Sequence, residues 1–226
     1  MKKLLTFILA AFLLPSTSFA AIAFDAASTG TSGTHTTSGT NRIMFGLAYD
    51  DSGDNCAAPT YNSVAMTLID KIQTSAGNNE YAYVYYLVNP ALGANTYAFS
   101  GTGCNGTIVS YTGASQTGVP DSTAKLANSD ATHTVTTTVV ASNSWIVGSY
   151  AGNRATSMGT GTTCRGNCGA QFTQVDSGAA VASGSQSLSV VQGGSPAIQA
   201  MVIASFAPHV DAPVIVPNFG DLILFE

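Results

Sequence analysis

From residue 41 onward the chain repeats one rhythm: a short run of apolar, aromatic and β-branched residues, then a break at Gly, Asn, Asp or Pro. Runs that alternate between two faces and stop at turn residues are strands, and they leave no room for long helices. The clearest run covers residues 80–88. Tyr81, Tyr83, Tyr85 and Leu87 point one way and Ala82, Val84, Tyr86 and Val88 the other, before Asn89-Pro90 stops the strand. Residues 41–49, Asn-Arg-Ile-Met-Phe-Gly-Leu-Ala-Tyr, read as apolar on both faces, as in a strand covered from two sides. Residues 22–28 form a short apolar opening, and residues 29–34, Thr-Gly-Thr-Ser-Gly-Thr, read as loop. Residues 60–69 read as two strands hinged at Asn62-Ser63, and further strands are expected at 95–99, 107–112, 132–141, 144–150, 170–175, 186–191 and 198–206. Trp145 shares a strand face with Val147 and is assigned to the core. With 45% hydrophobic and only 8% charged residues, the chain is not disordered. The expected class is all-β, a β-sandwich or barrel by rhythm alone, with one antiparallel β-sandwich preferred. No repeat of fixed period is visible, which argues against a solenoid or propeller.

Residues 1–20 have the layout of a secretory signal peptide: Lys2 and Lys3, an apolar stretch over residues 4–14, a polar break, and the small-residue end Ser18-Phe19-Ala20. The apolar stretch is well short of the roughly 20 residues that span a bilayer, so no transmembrane segment is expected. Cleavage is expected after Ala20, with a second site after Ala23. Loss of the two lysines takes the formal charge from −5 to −7. An acidic chain with no basic run after residue 3 does not carry the electrostatic footprint of a nucleic-acid binder. The four cysteines of an exported chain read as disulfides rather than zinc ligands. Of three possible connectivities the favoured one has Cys164 and Cys168 close a tight Gly-containing loop, which leaves Cys56 to pair with Cys104. The main domain is expected over residues 21–207, followed by a Pro-containing tail, residues 208–226.

Three groups of residues could carry chemistry. Tyr81, Tyr83 and Tyr85 repeat about every 7 Å along one strand face, a spacing suited to stacking on successive sugar rings and equally to core packing. Asp50, Asp51 and Asp54, with Ser52 and Asn55 around Gly53, gather oxygen ligands of the kind calcium takes, although the spacing is not that of an EF-hand loop. His35, His133 and His209 have no Ser or Asp at a diagnostic spacing, and no G-x-S-x-G occurs. Glu80 is the one internal glutamate, with Asp70 and Asp121 as conceivable partners for glycoside hydrolysis. Residues 101–106 spell G-x-G-x-x-G, but the segment after them reads as a strand where a dinucleotide site needs a helix. The Thr-rich stretches 29–40 and 134–138 read as polar strand faces; the regular repeats of an ice-binding surface are missing.

Asn41-Arg42-Ile43-Met44-Phe45-Gly46, Pro59-Thr60-Tyr61-Asn62-Ser63-Val64-Ala65-Met66-Thr67 and Tyr83-Val84-Tyr85-Tyr86-Leu87-Val88-Asn89-Pro90 resemble a family of uncharacterised exported β-sandwich domains of bacterial and phage surface proteins. Val109-Ser110-Tyr111-Thr112-Gly113-Ala114, Gly118-Val119-Pro120-Asp121 and Asn143-Ser144-Trp145-Ile146-Val147 fit the same pattern, over roughly residues 22–207. The resemblance implies a jelly-roll, lectin-like sandwich outside the cytoplasm and brings no reaction with it. The expected function is therefore a secreted or cell-surface, non-enzymatic binding module for glycans, with adhesion as its use and no cofactor beyond calcium. A structural protein that self-assembles through residues 214–225 is the alternative, and a polysaccharide hydrolase comes third.

Overall fold

Strands that are apolar on both faces can only be buried between two other layers, and here they occupy the middle of a four-layer molecule. The computed structural model describes residues 19–75, 78–152, 154–193 and 198–211, and within these every regular element is a β-strand. Apart from Phe19 and Ala20, the expected leader lies outside the described residues, and so does the tail beyond Asp211.

In the first half, β1 (Ala23–Thr29), β9 (Cys104–Thr112), β3 (Ile43–Asp50), β7 (Asn78–Val88) and β6 (Thr67–Ser75) lie side by side in that order as an inner sheet. An outer sheet of β2 (Ser32–Thr37), β8 (Gly93–Ser100), β4 (Ala57–Tyr61) and β5 (Val64–Ala65) covers one of its faces. The second half repeats the plan. Its inner sheet runs β10 (Ser122–Asn128), β17 (Gln199–Phe206), β12 (Trp145–Ala151), β15 (Phe172–Asp176) and β14 (Thr163–Gly166). Its outer sheet runs β11 (Thr132–Val139), β16 (Gly184–Gln192) and β13 (Ala155–Met158). All pairings are antiparallel and nested: β1 with β9, β2 with β8 and β3 with β7 in one half, β10 with β17, β11 with β16 and β12 with β15 in the other. The repeat reaches single residues. Gly46 stands opposite Ile108 in β9 as Gly148 stands opposite Ile203 in β17. No fixed period betrays it because the loops differ in length.

Alternation along the inner strands assigns the layers. Ile43, Phe45 and Leu47 of β3 meet Trp145 and Val147 of β12 and Val202, Ala204 and Phe206 of β17 in a core shared by the two halves. Met44 and Ala48 of β3 instead meet Tyr61, Tyr97 and Phe99 under the first outer sheet. Ile146 and Tyr150 of β12 meet Val135, Leu188 and Val190 under the second. Of the strand expected over residues 41–49, residues 43–48 are buried from both sides while Asn41 and Arg42 precede β3, and Trp145 is core. The unit expected over residues 21–207 thus holds two sandwiches, not one. β2 replaces an expected loop. It offers little apolar signal, and tertiary pairing with β8 overrides its composition. Asn62 and Ser63, both at positive φ (48° and 64°), make the tight turn between β4 and β5 at the expected hinge. Residues 101–106 run straight into β9, so the glycine pattern has no helix to serve.

Candidate functional site

The tyrosine row forms as the alternation requires, with ring centroids 6.0 Å apart between Tyr81 and Tyr83 and again between Tyr83 and Tyr85. It is not, however, a platform for ligand. Tyr83 and Tyr85 are 1% and 3% exposed, packed beneath the first outer sheet with Met44, Tyr61 and Cys104. Their hydroxyls are spoken for: Tyr83 donates to Asp54 Oδ1 (2.9 Å) and Tyr85 to the Cys56 carbonyl (3.1 Å). Burial pushes the Tyr85 phenol up to about 12, and burial and then Asp54 push Tyr83 higher. Only Tyr81, at the end of the row, keeps partial exposure.

The acidic turn closes on itself. Asp50 is fully buried, its Oδ1 accepting from the Ser52 amide (2.9 Å) and hydroxyl (3.0 Å) and its Oδ2 from the Asn55 amide (2.9 Å). Asp54 accepts from Lys71 Nζ and Tyr83, while Asp51 is exposed. Among the described residues no group of three or more His, Cys, Asp or Glu is placed to hold a metal ion. The Cys56–Cys104 disulfide ties this turn to the start of β9, and Cys164–Cys168 closes the loop beside β14. Both expected pairs are formed.

The titratable groups singled out for catalysis keep separate company. Glu80 is half-buried, and burial and then Asp51 raise its carboxyl. Asp70 holds Lys125 (2.7 Å), and Asp121 accepts from Ser144 and Ser205. His35 does meet a serine, with Nε2 2.9 Å from Ser110 Oγ. Ser110 gives its proton to Asp25 Oδ2 (2.8 Å), so the imidazole must donate through Nε2, and its lone-pair nitrogen faces Ser28 (3.0 Å) instead. The ring therefore cannot act as base toward Ser110, which is itself fully buried. His133 is the counterpart in the second half, reaching from β11 to Leu126 and Asn128 of β10. Burial depresses both imidazoles, His133 down to about 4.

A polar seam between the halves carried no sequence signal. Asp176 is fully buried and takes Arg165 Nε (2.6 Å) and the Tyr111 hydroxyl (2.7 Å), while the Arg165 guanidinium lies 3.9 Å over the Phe24 ring. Thr107 Oγ1 donates to Gln174 Oε1 (3.0 Å), and Tyr49 stacks on Phe172 at 3.9 Å. The cross-half partners are 65 (Tyr111 and Asp176), 67 (Thr107 and Gln174), 123 (Tyr49 and Phe172) and 141 (Phe24 and Arg165) residues apart in sequence, which no local pattern predicts.

What solvent meets is different. The outer sheets, β2-β8-β4-β5 and β11-β16-β13, contain no Asp, Glu, Lys or Arg; every such described residue sits in an inner sheet or a loop. Their only histidines, His35 and His133, are buried. The second outer face presents Thr132, Thr134, Thr136 and Thr138 beside Ser185, Ser187 and Ser189, with hydroxyl bonds Thr134–Ser189 (3.0 Å) and Thr136–Ser187 (2.8 Å). The first presents Ser32, Thr34, Thr36, Thr60 and Thr96. The missing charges in these segments were legible in the sequence; that the segments form the outermost faces was not. No protein family, curated protein or solved structure matches the chain.

Proposed function

We propose that this chain is an exported, non-enzymatic binding module whose outer faces engage uncharged, hydroxyl-rich polymers, neutral glycans above all. The observation that carries the reading is the segregation of charge. Soluble surfaces normally mix both signs, with roughly a quarter to a third of surface positions charged, yet two whole sheet faces here present hydroxyls and methyls alone. Such a face repels no neutral sugar and offers no ion pair to a charged polymer. The nested strand pairing, first with last and second with last but one, supports a jelly-roll reading of each half. Two disulfides suit an oxidising, extracellular setting. In the His35–Ser110 contact the serine proton is directed at Asp25, which supports a non-enzymatic reading over a serine-hydrolase one.

The test is binding of the mature chain, disulfides intact, to a panel of neutral and charged polysaccharides, with calcium and with chelator, at about 0.05 and about 0.5 M salt. Saturable binding to neutral members, unchanged by salt, is expected. Binding confined to charged polymers and lost at high salt, or no binding at all, would overturn the reading.

A further inference from the structure

We infer that a depression of about 480 Å³ on the first outer face seats one or two sugar units of such a glycan; this rests on the binding-module reading above. Ligand pockets generally measure about 300–1,000 Å³, so the volume suits a mono- or disaccharide. Its rim is made of Ser32, Thr34, Thr60, Ser63 and Thr96, and Tyr97 with Gly33 also lines it. Thr34 and Thr96 are direct register partners across β2 and β8, which sets their side chains next to each other on one face. Ser63 projects from the β4–β5 turn, and Thr60 stands opposite Ala98 on the other side of β8.

Two contrasts single out this spot. On the second outer face the hydroxyls bond one another, Thr134 to Ser189 and Thr136 to Ser187. Around the depression, the side-chain hydroxyls of Ser32, Thr34, Thr60, Ser63 and Thr96 have no protein partner among the described residues. Bonds to a ligand would replace only bonds to water and would break no internal pair. The second contrast lies under the sheet: Gly33 and Tyr97 are register partners on the inner face, and a Cβ at Gly33 would lie 3.1 Å from Tyr97 Cε1, so glycine here lets the ring pack directly against β2 beneath the depression. The sheet around the depression has no charged side chain, which excludes a phosphate, a sulfate or a uronic acid held by ion pairing.

The experiment uses the full mature chain. Thr34→Val with Thr96→Val removes two rim hydroxyls while keeping β-branched shape and strand propensity, and Thr60→Val removes a third from the other side of β8. Thr134→Val with Thr136→Val is the control on the other face. Binding is measured by calorimetry against short neutral oligosaccharides of glucose, galactose, mannose and N-acetylglucosamine, with circular dichroism to check the fold. A loss of about tenfold or more in the Thr34/Thr96 variant and in Thr60→Val, with the control unchanged, is expected, since each lost hydrogen bond counts for roughly a factor of ten. Wild-type binding that both rim variants retain would overturn this site and leave the binding-module reading standing. Absence of wild-type binding to every oligosaccharide and polymer would overturn both. If the double variant fails to fold, Thr60→Val alone decides.

Discussion

Acid should unfold this protein through a histidine. His133 is 0% exposed, held between β11 and β10, with Nε2 3.1 Å from the Leu126 carbonyl oxygen and Nδ1 2.6 Å from Asn128 Oδ1. Burial is the largest influence on the ring and depresses it from 6.5 to about 4, against smaller opposing pulls from Leu126 and Asp130. A group whose folded value lies below its unfolded value takes up its proton first in the unfolded chain. Stability from this residue is therefore complete above about pH 6.5, falls as pH drops toward about 4, and is flat below. At 1.36 kcal/mol per unit of difference, the loss is about 3 kcal/mol, a large share of a typical folding free energy of roughly 5–15 kcal/mol. His35, depressed for the same reason, adds in the same direction. Urea unfolding at pH 7, 6, 5 and 4 with disulfides intact measures the effect, and His133→Gln isolates it: the variant keeps a donor for Leu126 and does not titrate, while carboxylate effects cancel in the comparison. The wild type should lose about 3 kcal/mol more than the variant between pH 7 and pH 4. Parallel curves for the two proteins would refute the reasoning.

The seam between the halves yields further tests. Asp176→Asn leaves Arg165 without its buried counter-ion and should cost about 3–5 kcal/mol in unfolding free energy; a cost under 1 kcal/mol would show the pair is solvated. Gly166 packs so closely on Thr107 that a Cβ there would overlap its hydroxyl, so Gly166→Ala should lower stability by about 1–3 kcal/mol. Thr107→Ala should relieve part of that cost in the double variant, and strict additivity in a double-mutant cycle would count against the contact. Replacing Cys56 and Cys104 by Ser releases a 48-residue separation and should cost about 4 kcal/mol, against about 2 kcal/mol for Cys164 and Cys168 with a separation of 4; chemical denaturation of the two variants tests the order. Ile22 is 7% exposed in the core shared by the halves, so the exported chain should begin at Ala21 rather than Phe24. Intact mass spectrometry reads this directly, and a stable product starting at Phe24 would show that Ile22 is dispensable.

How much of this was legible from the chain differs from residue to residue. A pleated strand sends alternate side chains to opposite faces whatever surrounds it, so the composition of each face of β3, β7 and β12 was settled locally. The Asn62-Ser63 turn followed from residue chemistry in the same way, and the short Cys164–Cys168 spacing favoured one of three possible disulfide connectivities. What alternation cannot say is which face meets water. Tyr81, Tyr83 and Tyr85 share a face as expected, but β4 and β8, brought over them by pairings with sequence-distant strands, decide that the face is core. In the acidic turn, too, geometry decides what the residue types leave open. An aspartate's oxygens serve a metal or the backbone according to where the amides of its own turn point, and those of Ser52 and Asn55 point at Asp50. The strand character and the formation of disulfides were written in local sequence. The doubling of the sandwich, the buried seam and the exposure of two uncharged hydroxyl faces were decided by non-local pairing, because only a closed antiparallel fold determines which of a strand's two sides is left for solvent.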